Sequence, residues 1–292
     1  MHRILQIIRY NVLQRGLYGI TSPLRITPDF IVIGAKRCGT TSLYHYLGEH
    51  PCIKRSSHDH LGFFDDNFHL GIQFYRSFFP TILEKKYLES KEGKCLTYDV
   101  TSSYIYNTTA AERIFHALPH VKIVVILRNP IDRAYSEYNL DRELNPHIET
   151  FETLVNKEIE EIQTNNSTTE NERHTFDSNK KNYLRRGLYY DQLKHWFNLF
   201  PRENILILST EDFATDANEV FNTIFKFLNL KSFLINKPER LRKGTYPKLG
   251  NKMRERLTDF YSSKNMQLYK MIGKDLGWER SEEHTSELQS RG

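Results

Sequence analysis

Nine residues from Gly34 to Ser42 combine two glycines, two cations and three hydroxyls, a set suited to holding a phosphate or sulfate group. The segment reads GAKRCGTTS, with Lys36 and Arg37 between the glycines. Glycines allow backbone angles that turn successive N–H groups toward one anion, and a helix beginning after the loop adds the positive end of its dipole. The pattern therefore predicts an anion cradle.

A strand and a helix are predicted on either side of this loop. Phe30–Ile33 is an uninterrupted β-branched and aromatic run, typical of a strand buried in a parallel sheet. Apolar residues then follow helical spacing from Thr41 to Gly48. Strand, glycine turn and helix in this order form the expected framework of a phosphate-binding loop.

The position of the cations indicates which anion chemistry is favoured. A loop for ATP or GTP places lysine directly after the second glycine, where it reaches the terminal phosphates. Here Thr40 occupies that position and the cations lie inside the loop. This argues against magnesium-dependent phosphoryl transfer and favours direct cationic contact with phosphate or sulfate. A nucleotide kinase or NTPase, and a plain glycine turn with incidental charges, remain the alternatives.

Further strands and helices alternate along the chain. Strands are predicted at Leu96–Val100, Val121–Leu127 and Asn204–Leu208, and helices at Thr108–Ala117, Ile131–Glu143, Phe151–Ile162, Tyr183–Phe200, Ala217–Leu228 and Met253–Ile272. This alternation predicts an α/β fold, a central parallel sheet with crossover helices, in one domain. The polar stretch Gln163–Lys181 is interpreted as an exposed loop.

Composition narrows the class of protein. The 292 residues carry a net charge of +5 and are 39% hydrophobic, which excludes global disorder. The charge is too mild for a nucleic-acid coat protein but suits an anionic partner. Cys38, Cys52 and Cys95 are too few for a disulfide framework or a zinc site, so a reducing, cytoplasmic location is predicted.

The two ends differ from the rest. Apolar residues of Met1–Gly19 follow helical spacing, interrupted by arginines, which predicts an amphipathic helix that docks on the domain or touches a membrane surface. It has neither the length of a transmembrane span nor a signal-peptide pattern. Arg280–Gly292 resembles a translated sequencing adapter and is interpreted as a read-through tail. The predicted divisions are thus 1–27, 28–279 and 280–292.

The glycine loop and four later blocks together resemble one enzyme family. The blocks are PDFIVIGAKRCGTTSLYHYLGEHP, GFFDDNFHLGIQFYRSFFP, VVILRNPIDRAYSEY, LRRGLYYDQLKHWFNLFPRENILIL and KGTYP followed by LYKMIGKDLGW. Their order resembles the sulfotransferases that use 3′-phosphoadenosine 5′-phosphosulfate (PAPS), in the carbohydrate branch that includes heparan-sulfate and bacterial polysaccharide enzymes. The resemblance implies a P-loop NTPase-like three-layer fold, with the central parallel sheet flanked by helices.

The resemblance also assigns the donor-binding residues. It places the 5′-phosphosulfate against Lys36, Arg37, Cys38, Gly39, Thr40, Thr41 and Ser42, the 3′-phosphate against Arg128 and Ser136, and the nucleotide under Lys243, Gly244, Thr245 and Tyr246. Two positions depart from the family. Arg37 stands where the family has a lysine at the bridging oxygen, and an arginine carries charge but gives up no proton. Thr245 stands where arginine is usual, in a loop one residue short.

The general base is less clearly assigned. The family places a glutamate three residues before its Phe-Phe-Asp block, and that position here is His60. Histidine can act as a base near neutral pH. Asp59 competes with it through a one-residue shift, His58 is a weaker candidate, and all three can be plain polar loop residues.

The resemblance places other residues near the acceptor. Asp99 is expected to orient the base or the acceptor hydroxyl, or else to be a turn residue at a strand end. Phe64 and Tyr104 are candidate acceptor contacts, although most aromatics of these segments are expected in the core.

The resemblance predicts a sulfotransferase that moves a sulfuryl group from PAPS to a hydroxyl, or less readily an amine, of a carbohydrate-like acceptor. No metal and no nucleic acid are expected to take part. A binding module that kept the anion cradle and lost the base is the alternative from another class, and the histidine at the glutamate position is its support.

Overall fold

The computed structural model describes residues 18–164, 182–239, 241 and 244–279. Most of the predicted amphipathic segment (residues 1–17), most of the polar loop 163–181 and the tail 280–292 lie outside the described residues. So does Lys243, the predicted cation of the late loop. Within the described part of the chain, no helix is both long and apolar enough to cross a membrane.

The helices and strands follow one another in the alternation that the sequence predicts. The strands are β1 (Phe30–Gly34), β2 (Ile53–Arg55), β3 (Leu96–Val100), β4 (Lys122–Leu127) and β5 (Ile205–Ser209). The main helices are α1 (Thr40–Leu47), α2 (Ile72–Arg76), α3 (Ile82–Glu92), α4 (Thr108–Ala117), α5 (Pro130–Leu144), α6 (Phe151–Thr164), α7 (Tyr189–Leu199), α8 (Thr210–Thr215), α9 (Ala217–Phe227) and α10 (Asn251–Ile272).

The chain divides into two compact units. Unit 1 comprises Met1–Leu127 and His195–Lys243, and unit 2 comprises Arg128–Lys194 and Gly244–Gly292. All five strands belong to unit 1. They form a parallel sheet in the order β2-β3-β1-β4-β5, which confirms the predicted α/β fold.

Strand β1 is the centre of unit 1. It is buried along its whole length and pairs with β3 on one side and β4 on the other. The chain runs from β1 to β2 and β3 on one side and later to β4 and β5 on the other. In open α/β sheets, ligands bind where the strand order reverses in this way, outside the carboxyl end of the strand. That point is the start of the glycine loop.

Four of the unit 1 elements given above are not predicted from hydrophobic periodicity: the strand β2, the helix α3 and the short helices α2 and α8. Strand β2 has three residues, and its last two are exposed at the edge of the sheet. Helix α3 buries none of its residues, so it lacks an apolar stripe. Its start is marked instead by a capping box, in which Thr81 and Glu84 satisfy each other's backbone N–H groups.

Unit 2 packs helices around an apolar cluster. Ile131, Ala134, Val155, Leu257 and Tyr261 are buried there. Among the described residues of this unit, the charged side chains of Arg133, Glu137 and Glu158 are also buried.

One predicted helix of this region is wrong in its bounds. The sequence predicts helix from Tyr183, whereas a 3₁₀ turn at Arg185–Gly187 comes before α7. A helix from Tyr183 would pair the Tyr183 carbonyl with the Gly187 N–H, but this carbonyl accepts from the buried Arg133 guanidinium, and the Gly187 N–H donates to the Leu184 carbonyl at 2.8 Å. Tertiary contacts therefore override the local helical pattern.

Candidate active site

The glycine loop of unit 1 is fixed to the sheet immediately after β1. The Ala35 N–H donates to the Ile126 carbonyl at 2.7 Å, and the Cys38 N–H donates to the Ala35 carbonyl at 3.2 Å. The first bond ties the loop to β4 and the second closes it on itself. The loop therefore lies at the carboxyl ends of two neighbouring strands.

Both glycines of the loop are required by its geometry. Gly34 has φ +150°, and a Cβ there would lie 2.5 Å from Ile105 Cγ2 and 3.0 Å from the Ser102 carbonyl oxygen. Gly39 has φ +100° and is the N-cap of α1. Backbone with positive φ favours glycine, because a side chain strains it. The loop thus turns tightly and presents the N-terminus of α1, as the sequence predicts.

The two loop cations differ in their backbone. Lys36 and Arg37 are both half-buried. Arg37 has φ +70°, a left-handed conformation that costs a non-glycine residue about 1–3 kcal/mol. Such strain is concentrated at functional sites, where the surrounding structure maintains it.

Thr210, which the sequence does not single out, braces the loop. Its hydroxyl lies 2.7 Å from the Cys38 carbonyl oxygen and 2.9 Å from that of Leu127, the last residue of β4. All three residues belong to unit 1. The one available signal in the sequence is the position of Thr210 directly after strand β5.

Helix α1 receives contacts from the segment that leads to Lys243. The Leu241 N–H donates to Ser42 Oγ at 2.9 Å, and the Glu239 N–H donates to Tyr46 Oη at 3.0 Å. Ser42 is fully buried, and its hydroxyl is thus a docking point for this segment within unit 1.

The base candidates lie on the segment that passes the carboxyl end of β3. The His60 N–H donates to the Val100 carbonyl at 2.7 Å, and His60 has φ +57°, in the left-handed region. Its side chain is exposed, whereas Asp59 and His58 are half-buried. The His58 ring packs edge-on against Phe78 at 5.8 Å. Neither His60 nor Asp59 is buried, so both remain candidates for the general base.

Asp99 is the buried acid nearest in sequence to this end of β3. Its Oδ1 accepts the Thr101 hydroxyl at 2.9 Å, and its Oδ2 accepts the hydroxyls of Tyr75 at 3.1 Å and Tyr104 at 3.2 Å. Burial raises the pKa of the Asp99 carboxyl to about 7, although the three hydroxyl donors favour its ionised form.

Phe64 and Tyr104, predicted as acceptor contacts, are completely buried in unit 1. Each has 0% of its surface exposed, and their rings pack edge-on at 5.8 Å. Asp99 also has 0% exposed. None of the three therefore presents a surface to an acceptor.

In unit 2, Arg128 is the residue directly after β4 in the chain. Its Nη1 is buried and has no hydrogen-bond partner among the described residues. Its carbonyl oxygen accepts the Tyr189 hydroxyl at 3.0 Å. Ser136 is buried on α5 of the same unit. A buried guanidinium nitrogen without a partner costs free energy unless a ligand satisfies it.

The predicted closing loop is described from Gly244 onward. Gly244 and Thr245 are exposed, and the half-buried Tyr246 packs edge-on against Tyr135 of the same unit at 5.5 Å. A Cβ on Gly244 would lie 2.6 Å from Tyr246 Cε1, so the ring covers this glycine. Across the described ranges, no group of three or more His, Cys, Asp or Glu side chains is arranged to hold a metal ion.

Comparison with known proteins identifies the family of this chain. The family model for the sulfotransferase domain matches residues 27–280. The membrane-associated sulfotransferase kil1 of Dictyostelium discoideum is 24% identical over 89% of this chain and 68% of its own length. Human heparan sulfate glucosamine 3-O-sulfotransferase 3B1 is 28% identical over 86% of this chain and 65% of its own length. The chain thus spans about two thirds of each of these relatives.

A solved structure shows the same fold. The crystal structure of a sulfotransferase from Alicyclobacillus acidocaldarius matches with a TM-score of 0.65 and 26% identity, over 87% of this chain and 100% of that one. The family match covers most of the chain, and the resemblance seen in the motifs is confirmed. The chain belongs to the sulfotransferase family and is a PAPS-dependent sulfotransferase.

Proposed function

We propose that this enzyme transfers the sulfuryl group of PAPS to a hydroxyl, or less readily an amine, of a carbohydrate. The observation that carries the proposal is the glycine loop at the carboxyl end of β1, with two cations within it and the N-terminus of α1 at its end. Support for a carbohydrate acceptor comes from relatives that act on heparan sulfate glucosamine. A cytoplasmic location stays a prediction.

The residues present fit an anionic donor. In unit 1, the cradle of Gly34–Ser42 would hold the 5′-phosphosulfate. In unit 2, the buried Arg128 Nη1, which lacks a partner among the residues described, and Ser136 would hold the 3′-phosphate. Lys243, Gly244, Thr245 and Tyr246 remain the candidates for covering the nucleotide.

The bound donor supplies a sulfuryl group that moves in line to the acceptor oxygen, a reaction catalysed mainly by positioning and charge stabilisation. Arg37 would stabilise the negative charge that grows on the departing phosphate, and Lys36 would share this task. Arginine keeps its proton, so its contribution is electrostatic. His60 or Asp59 would accept the proton of the acceptor hydroxyl.

A transfer assay tests the proposal. Wild-type enzyme with ³⁵S-labelled PAPS is expected to label heparan sulfate, and to label it more than a protein acceptor. His60→Ala and Asp59→Ala then identify the base, because loss of the base is expected to lower turnover about 10²–10⁴-fold. If the wild type binds 3′-phosphoadenosine 5′-phosphate tightly but labels no acceptor in a panel of glycans, the carbohydrate acceptor is wrong and the proposal fails.

A further inference from the structure

The Gly62–Asp65 turn, which begins two residues after His60, is held in unit 1 by side chains from two other segments. The N–H groups of its first three residues donate to Thr101 and Tyr104, after β3, and the carbonyls of its last two residues accept from Arg113 of α4. The Arg113 Nη1 donates to the carbonyls of Phe64 at 2.7 Å and Asp65 at 3.1 Å. Side chains from outside the turn therefore bind both its backbone N–H groups and its carbonyls.

Tyr104 binds two N–H groups of the turn, whereas Thr101 binds one. Its hydroxyl oxygen accepts the N–H groups of Phe63 at 2.9 Å and Phe64 at 3.2 Å. The same hydroxyl donates to Asp99 Oδ2 at 3.2 Å. One oxygen thus satisfies two successive buried amides, and a carboxylate fixes the direction of its proton.

Two neighbours complete this arrangement. Thr101 Oγ1 accepts the Gly62 N–H at 3.3 Å while donating to Asp99 Oδ1 at 2.9 Å. The Tyr75 hydroxyl donates to Asp99 Oδ2 at 3.1 Å, and the Tyr75 ring stacks on Phe63 with 4.7 Å between centroids. Asp99 therefore accepts from three hydroxyls, two of which hold the turn.

His60 lies two residues before this turn. Its own N–H is bound to the Val100 carbonyl, and its backbone is left-handed. With the N–H of His60 and the amides of Gly62, Phe63 and Phe64 all held by the end of β3, little freedom remains for the segment between them. The Tyr104 hydroxyl thus anchors the backbone three and four residues after His60.

We infer that Tyr104 is a positioning residue for the general base: its hydroxyl holds the amides of Phe63 and Phe64 and so sets the orientation of His60 or Asp59. This inference rests on the proposed function. It gives Tyr104 a role that fits a ring without exposed surface, in place of the acceptor contact predicted from the sequence.

The test compares Tyr104→Phe with Tyr98→Phe. Tyr98 is an equally buried tyrosine of unit 1, and its hydroxyl donates to the Tyr44 carbonyl, away from the turn. Tyr104→Phe is expected to lower kcat for transfer from PAPS to heparan sulfate at least tenfold. The KM for PAPS and the Kd of 3′-phosphoadenosine 5′-phosphate are expected to stay within twofold. Tyr98→Phe is expected to leave all three constants within twofold.

Hydrogen exchange of the backbone amides tests the role of Tyr104 without any substrate for sulfation. In Tyr104→Phe the amides of Phe63 and Phe64 are expected to exchange at least ten times faster than in wild type, and in Tyr98→Phe at the wild-type rate. If the wild type sulfates no acceptor, the proposed function fails, and the exchange rates still decide whether Tyr104 holds the turn.

Three results would overturn the inference: an unchanged kcat in Tyr104→Phe, a parallel loss of kcat and donor affinity, or unchanged exchange at the turn. If Tyr104→Phe does not fold, Thr101→Val replaces it. That variant removes the contacts of Thr101 with Gly62 and Asp99, and a kcat decrease of at least threefold at constant donor affinity is expected.

Discussion

The hydroxyl of Thr210 lies 2.7 Å from the carbonyl oxygen of Cys38, although 172 residues separate them in the chain. The same hydroxyl lies 2.9 Å from the carbonyl of Leu127, at the end of β4. Thr210 follows β5 directly, so one side chain connects the ends of two strands with the loop that follows a third. The shape of the glycine loop therefore depends on a residue far outside its motif.

Removing this hydroxyl is expected to loosen the loop without unfolding the sheet. Thr210→Val keeps the shape of the side chain but leaves the Cys38 and Leu127 carbonyls without this donor, at a cost of about 1–3 kcal/mol. The affinity for 3′-phosphoadenosine 5′-phosphate, measured by calorimetry, is expected to fall about fivefold or more. Thr215→Val is the matched control, because the Thr215 hydroxyl bonds within its own exposed helix end. Equal affinities in the two variants would contradict the bracing role.

The cations of the proposed donor site are expected to act through charge. Lys36→Ala, Arg37→Ala and Arg128→Ala each remove a contact of about 1.5–3 kcal/mol with an anion, so donor affinity or turnover is expected to fall tenfold or more. Isothermal titration with 3′-phosphoadenosine 5′-phosphate and initial rates with PAPS measure the two quantities. Lys86→Ala, at an exposed lysine of α3, controls for a general change in charge. If all three variants keep the donor affinity and the turnover of the wild type, the assignment of the glycine loop as the donor site is wrong.

The loop and its strand could be predicted from the sequence because they are local. The Phe30–Ile33 run needs burial on both faces, and Gly34 and Gly39 mark the turns that follow. The fold and the family followed from this segment and from the order of the later blocks, and both are confirmed.

The surroundings of the base could not be predicted in the same way. Tyr104 reaches the amide of Phe63 across 41 residues, and the contact exists because the turn is folded onto the end of β3. Aromatic residues of this kind are usually core, and the sequence does not indicate which hydroxyl meets which backbone group. The helix predicted from Tyr183 failed for a related reason, since the guanidinium of Arg133, 50 residues earlier, takes the Tyr183 carbonyl that a helix would use.

Gly34 is expected to tolerate no side chain. In Gly34→Ala the new Cβ would meet Ile105 Cγ2 at 2.5 Å and the Ser102 carbonyl at 3.0 Å, on a backbone with φ +150°. The destabilisation is expected to exceed about 2 kcal/mol, because overpacking adds to the backbone strain. Urea unfolding measures it.

Gly71→Ala separates the two causes. Gly71 has φ +79°, but a Cβ there meets nothing within 4 Å, so this variant reports backbone strain alone, on the order of 1–3 kcal/mol. A Gly34→Ala variant as stable as Gly71→Ala would show that Ile105 moves aside at no cost and that the loop does not require close packing.

The buried carboxyl of Asp99 is expected to make stability depend on pH. Its pKa is raised from 3.8 to about 7 in the folded protein, chiefly by burial, and Tyr75, Thr101, Tyr104 and Asp65 are the groups that face it. An acid with a raised folded pKa binds more protons when folded, so its contribution to stability is fully present below pH 3.8 and is lost as pH rises to about 7.

Asp99→Asn removes this titration while keeping the shape of the side chain. From about pH 4 to about pH 8 the free energy of unfolding of wild type is expected to fall relative to that of the variant, by a difference on the order of 4 kcal/mol. Urea unfolding of both proteins at several pH values measures this difference, and titrations common to both cancel. A difference that stays constant with pH would mean that Asp99 keeps its ordinary acidity, and that the hydroxyls of Tyr75 and Tyr104 outweigh its burial.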